Sequence, residues 1–281
     1  MPELAELKLT ADYINEEAKN RIFYSVRKNP AHKGQEVEIP FRGFTISAES
    51  QGKELLLTLT QVNSSNSIKL RMTMGMSGHF KWVENGVLSK HSHLKFQSEY
   101  GSLDFVDVRR FGKWKIVDTW SKDRGPDPIS SFQDFVRNIK ANLHKKDFDK
   151  PIHEILMNQK YFNGIGNYLR AEILYRVDVN PFISAREALQ NKPEIYHLCK
   201  LLPLQAYKLG GGQLKDWENP FGRVVDVDSW DEFMICYGNP KMSKITDKNG
   251  RTFWYDPRWN IDYEKDWCHY SGMLSPSAYN N

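Results

Sequence analysis

The spacing of apolar residues changes once along this chain, and that change leaves few folds open to it. From about residue 21 to 118, short runs alternate or are β-branched and aromatic: Phe41 to Ala48, Glu54 to Thr60, Ile68 to Thr73 and Leu103 to Val108. The turn-forming stretches Asn63-Ser64-Ser65-Asn66 and Glu84-Asn85-Gly86 separate such runs. Successive side chains on a strand point to opposite faces, so several runs at this spacing predict an antiparallel sandwich or barrel. From Phe132 to about Leu209 the step is three to four instead. Phe132, Phe135, Ile139 and Leu143 form one stripe, and Ile152, Ile155 and Leu156 another, which predicts helices. Trp120 to Pro128, polar with one Gly and two Pro, reads as a linker between the halves. A helix leads the chain, because Leu4, Leu7, Ala11, Ile14 and Ala18 form an apolar stripe. The region Phe233 to Trp259 returns to strand-like runs around Asp247-Lys248-Asn249-Gly250, an Asn-Gly turn that signals a hairpin.

The expectation is an α+β chain of two domains. A β-rich N-terminal domain with a leading helix spans 1–119, a linker 120–131, and a helical domain ending in a hairpin 132–281. At 281 residues either half can bury a core without disulfides or metals. No apolar run reaches the roughly 18 residues of a membrane span, and charges begin at Glu3 with no apolar stretch behind them, so neither a span nor a signal peptide is expected. The three cysteines Cys199, Cys236 and Cys268 are widely spaced, which suits reduced thiols in an intracellular compartment. His91 and His93 point the same way on a strand but lack further ligands nearby, so no metal and no cofactor is expected. A net charge of +4 decides nothing alone; the placement of the charges matters.

Four segments carry candidate chemistry. Met1-Pro2-Glu3 would yield an exposed secondary amine once the methionine is removed. An α-amino group titrates near 7.7–8, against about 10.4 for lysine, so more of it is neutral and nucleophilic at pH 7. Attack by a secondary amine on a carbonyl-level carbon gives an iminium with no N–H to lose, and Glu3 stands beside it as acid or base. In Lys160 to Glu172, Asn163-Gly164-Ile165-Gly166-Asn167 makes a tight turn into a helix whose first N–H groups, with the Asn167 amide, suit a phosphate. Val108-Arg109-Arg110-Phe111-Gly112-Lys113 sets arginine beside an aromatic ring at a strand end, the pairing needed to hold open a gap in DNA, and the turn Met74-Gly75-Met76-Ser77-Gly78 offers Met76 as a second wedge. Asn249-Gly250-Arg251 places Arg251 just past the hairpin tip.

Taken in order from Met1 to about Trp254, these segments resemble the formamidopyrimidine-DNA glycosylase / endonuclease VIII family. The resemblance implies a sandwich domain followed by a helix–two-turn–helix domain. It implies that Pro2 is a Schiff-base nucleophile, that Glu3 moves protons at the sugar, and that Lys53 sits near the phosphate. Met76, Arg109 and Phe111 match the residues that fill the void left by a flipped nucleotide, Asn167 matches a phosphate ligand, and Glu6 and Glu172 are candidate supports of the active site. Two departures stand out. Leu4-Ala5 replaces the usual Gly-Pro, and the four cysteines of a terminal zinc finger are missing. The chain therefore resembles the zincless branch, in which a metal-free hairpin presents an arginine matching Arg251. The resemblance implies a DNA repair enzyme that removes oxidised pyrimidines and hydantoins and then nicks the strand. Such an enzyme is expected to work on damaged DNA as a monomer inside the cell, in the nucleus if the source is eukaryotic. The loop Leu209 to Gly222 is a candidate cover for the flipped base. Two rival readings of the same residues are a non-catalytic damage-binding protein and a hydrolase built on the carboxylates of Glu3 and Glu6.

Overall fold

The computed structural model describes residues 2–85, 90–212, 219–222 and 227–260. Cys268, the far end of the expected second domain and the middle of the Leu209–Gly222 loop lie outside these residues.

The first half is helix α1 (Leu4–Ala18) followed by strands β1 (Phe23–Lys28), β2 (Phe44–Gln51), β3 (Glu54–Gln61), β4 (Ser67–Thr73), β5 (His79–Glu84), β6 (Ser92–Ser98), β7 (Gly101–Val106) and β8 (Lys113–Ile116). All pair antiparallel in the order β5-β7-β6-β1-β2-β3-β4-β8. β1 and β2 meet at the single registered pair Phe23–Phe44, so two four-stranded leaves are hinged there. The leaves face one another: the ring of Trp114 on β8 stands edge-on to Phe105 on β7, with centroids 6.0 Å apart. That is a sandwich, and strict alternation builds it. On β2, Phe44, Ile46 and Ala48 are buried while Thr45, Ser47 and Glu49 are exposed.

The second half holds α2 (Phe132–Asn142), α3 (Ile152–Ile155), α4 (Asn167–Val177), α5 (Ala185–Asn191), α6 (Glu194–Lys208) and α7 (Val227–Phe233), then the hairpin of β9 (Ser243–Thr246) and β10 (Thr252–Tyr255). The fold class is the one expected. Two apolar cores result, and α1 belongs to both. Leu7, Ala11 and Ile14 pack in the sandwich core, while Ala5 packs with Phe135, Phe162 and Leu169 in the helical one. Burying a leucine or isoleucine contributes about 1.5–3 kcal/mol, so the leading helix fastens the halves together.

Residues 120–131 form no helix or strand but bond to both sides. The Gly52 N–H, at the β2–β3 turn, donates to Asp127 Oδ2 at 2.7 Å. Gly125 donates its N–H to the Gln159 carbonyl and accepts from Asn163 Nδ2, each at 2.9 Å. This segment is a strap, and the polar side chains that suggest a loose linker are the ones that tie it down.

Candidate active site and nucleic-acid interface

The seam between the halves collects the charged groups. Glu3 caps α1, and its N–H donates to Glu6 Oε2 at 2.7 Å. Its carboxylate turns to the other half and accepts the Tyr168 N–H at 3.0 Å and the Leu169 N–H at 3.4 Å, at the start of α4. A helix N-terminus carries unsatisfied N–H groups and partial positive charge, so a carboxylate is stabilised there. Lys53 reaches the same spot from the β2–β3 turn. A Cβ on Gly166 would lie 2.4 Å from Glu3 Oε1 and 2.5 Å from Lys53 Nζ, so the two charged atoms are within about 5 Å of each other. Only a residue without a side chain leaves space for both.

This packing moves both groups toward neutrality. Burial raises Glu3 from the ordinary carboxylate range to about 7; Lys53 opposes the rise and Glu6 adds to it. Burial likewise lowers Lys53 to about 8, against the pull of Glu3, with help from the positive charges of Arg124 and Arg251. Arg251 of the hairpin is thus brought within electrostatic range of Lys53 on the sandwich, two residues 198 positions apart in sequence.

Pro2 lies at this seam but is buried, where the sequence suggested an exposed amine. Its neighbours explain the difference: Glu3 and Leu4 are also buried, and the Leu4 N–H donates to the Gly164 carbonyl at 3.2 Å. Glu6 is fully buried and fully used. It accepts from the Glu3 N–H, from the Tyr168 hydroxyl at 3.1 Å and from the Gly212 N–H at 2.8 Å. The last bond anchors the start of the Leu209–Gly222 loop beside Glu3.

Glu3 takes the Tyr168 and Leu169 N–H groups at the start of α4, the helix end expected to meet a phosphate. Asn167 itself donates from Nδ2 to the Thr252 carbonyl at 2.9 Å and accepts from Arg170 at 2.6 Å, so it ties α4 to the hairpin. Glu172 is engaged with the chain before the hairpin. Its buried carboxylate accepts the N–H groups of Ile235, Cys236 and Tyr237 at 3.2, 2.8 and 2.7 Å and pairs with Arg176, which fixes the chain leading into the hairpin.

Arg170, missed in the sequence, is the hub of that region. It is 1% exposed, pairs with Asp247 at 2.9 Å, donates to the His153 carbonyl at 3.2 Å and lies 4.7 Å over the Phe253 ring. On the hairpin side Asp247 Oδ1 accepts the N–H groups of Asn249 and Arg251, at 2.9 and 3.0 Å, and so sets the turn that carries Arg251. The signal available was the three-residue step from Asn167 to Arg170, which stacks the two on one helix face.

On the loop after β7, Arg109 and Phe111 project together. Both are exposed, and the guanidinium sits 5.1 Å over the ring. Half-buried Met76 lies on the adjoining loop. Among the described residues no cluster of three metal-ligating side chains occurs, and no helix is long and apolar enough to cross a membrane.

The chain's first 114 residues match the model of the formamidopyrimidine-DNA glycosylase N-terminal domain, and residues 227–257 match that of the endonuclease VIII-like 1 DNA-binding domain. Endonuclease 8-like 1 of Homo sapiens is 36% identical, over 91% of this chain and 72% of that protein. The chain belongs to the formamidopyrimidine-DNA glycosylase / endonuclease VIII family. The Mus musculus endonuclease 8-like 1 is 38% identical over the same shares. Among solved structures, a Lactococcus lactis member of this family in complex with Fapy-dG-containing DNA superposes with a TM-score of 0.77 at 21% identity, covering 92% of this chain and 99% of that one. The Thermus thermophilus protein superposes at 0.74 with 22% identity, covering 92% and 98%. Likeness at that identity speaks for the fold, and membership rests on the endonuclease 8-like relatives. This family member is a DNA glycosylase.

Proposed function

We propose that the chain is a bifunctional glycosylase and abasic-site lyase that excises oxidised pyrimidines and hydantoins through Pro2. One observation carries the reading: Glu3 and Lys53 are held within about 5 Å of each other beside Pro2, with proton affinities moved toward neutral pH. A carboxyl near 7 is partly protonated at neutrality and can still deliver a proton.

In the proposed sequence a damaged nucleotide leaves the stack, and Met76, Arg109 and Phe111 occupy its place. The Pro2 nitrogen attacks C1′ as the glycosidic bond breaks, and the base departs with the bonding electrons and a proton from Glu3, whose carboxylate then takes up the proton released from the Pro2 nitrogen. The sugar ring then opens to an iminium and a 4′-hydroxyl, Glu3 managing the proton at that oxygen. Loss of a C2′ proton expels the 3′-phosphate, and a second elimination expels the 5′-phosphate. Lys53 and Arg251 neutralise the phosphate beside the lesion. The protein acts as a monomer, inside the cell, where its damaged-DNA substrate is.

The carboxylate-pair hydrolase is disfavoured, because the Glu6 carboxylate is buried and accepts from Glu3, Tyr168 and Gly212. Borohydride added during reaction on a duplex carrying one oxidised pyrimidine tests the proposal. A covalent protein–DNA adduct is expected, and it should vanish when the N-terminus is blocked. An adduct that survives blocking assigns the nucleophile elsewhere.

A further inference from the structure

The two loops with the void-filling side chains leave different strands, β4 and β7, yet one buried carboxylate joins them. Asp107 is fully buried and directly follows β7. Its Oδ1 accepts the Ser77 hydroxyl and the Arg109 N–H, the latter at 3.2 Å; its Oδ2 accepts the Gly112 N–H at 2.7 Å. Ser77, 2% exposed, closes the ring by accepting the same Arg109 N–H at 3.1 Å. The residue on either side of Phe111's turn is therefore held by Asp107, and the residue after Met76 is held by it too.

The backbone of Asp107 is itself fixed. Its N–H donates to the His91 carbonyl at 3.0 Å, and its carbonyl accepts from His93 Nε2 at 2.8 Å and from the Arg110 N–H at 3.3 Å. Behind it, His93 packs on His32, which stacks on Trp114 at 4.4 Å. The loops also touch directly. Gly75 has φ +60°, and a Cβ there would lie 2.7 Å from the Gly112 nitrogen and 2.8 Å from Phe111 Cβ. Exposed tips on a buried polar base are suited to entering a stacked duplex without bending back.

We propose that Asp107 and Ser77 are positioning residues that lock Met76, Arg109 and Phe111 into a single rigid wedge, and so set how well the protein separates damaged from undamaged duplex. The inference rests on the void-filling roles given above. A carboxylate in contact with three donors is needed: in Asp107→Asn an amide N–H would face the Gly112 N–H or the Ser77 and Arg109 donors. Ser77→Ala removes only the link between loops, and Ser77→Thr keeps a hydroxyl.

The test measures affinity for a lesion duplex and for the matching undamaged duplex, with the single-turnover rate on the former. Ser77→Ala should lower the damaged-over-undamaged affinity ratio and the rate by about tenfold, since small misplacements of contact groups have effects of that order or larger. Affinity for undamaged duplex should stay within about twofold. Ser77→Thr should restore the ratio, and Ser77→Ala combined with Phe111→Ala should lose less than the two single losses combined, because a loose base matters less once one of its tips is gone. Asp107→Asn, if it folds, should match Ser77→Ala or exceed it. Equal losses on both duplexes, or a Ser77→Ala effect that adds in full to Phe111→Ala, would overturn the proposal. A wild-type protein that discriminates between the duplexes yet shows no chemistry would instead refute the catalytic reading and leave the wedge standing.

Discussion

At the residue scale, Glu3 and Lys53 each set the other's charge, and this yields a signed prediction. Glu3 near 7 can donate a proton below that pH and loses the ability as pH rises through it, so base release should have an alkaline limb close to neutrality. The Lys53 cation holds the carboxyl down against burial. Lys53→Met keeps the burial and removes the cation, so the limb should move to higher pH whatever happens to the maximal rate. A pH series of single-turnover excision reads this directly; a limb that stays put or moves down contradicts the assignment. Because the groups are coupled, the limb belongs to the pair rather than to either one. Gly166 gives the steric counterpart. Gly166→Ala puts a methyl 2.2 Å from Glu3 Cδ, and the carboxylate must leave the α4 amides. A loss of about 1–3 kcal/mol in stability and a fall of about a hundredfold in base release are expected, by denaturant unfolding and gel assay. Pro2 and Glu3 stand out in the sequence as candidate chemistry. The burial that raises Glu3 does not, because the α4 groups packed on its carboxylate lie more than 160 positions away.

At the element scale, the Arg170–Asp247 pair fastens the β9–β10 hairpin to α4. The hairpin was visible from its Asn-Gly turn. Its fastening was hidden, since an arginine inside a helix and an aspartate in a turn look in sequence like two surface charges. The helix start is a parallel case: it advertises free N–H groups, and nothing local reveals that Glu3 takes two of them. A buried pair broken on one side is strongly destabilising, by roughly 3–5 kcal/mol, whereas neutralising both partners is less harmful. Arg170→Met should therefore destabilise more than the double variant Arg170→Met/Asp247→Asn, in which the amide oxygen still accepts from Asn249 and Arg251. Thermal unfolding of the four proteins of this cycle checks it; strictly additive losses would mean that the pair does not hold the hairpin.

At the scale of the whole molecule, the change from a two-residue to a 3.6-residue period was enough to read two layers of different class and their order. It could not reveal that α1 packs in both cores or that the 120–131 segment is bonded down, because both depend on long-range partners. Those ties matter for binding. They hold Lys53 of the sandwich near Arg251 of the hairpin, so that one phosphate run crossing the seam can meet charges from both halves. Each phosphate neutralised on duplex DNA adds about 0.9 to the slope of log affinity against log salt. Lys53→Met and Arg251→Met should each reduce that slope by about one, and the double variant by about two. If DNA lay on one half alone, one of the two substitutions would leave the slope unchanged. The slope is the better measure than affinity, because it counts ion pairs and is insensitive to the local damage a buried lysine's removal brings.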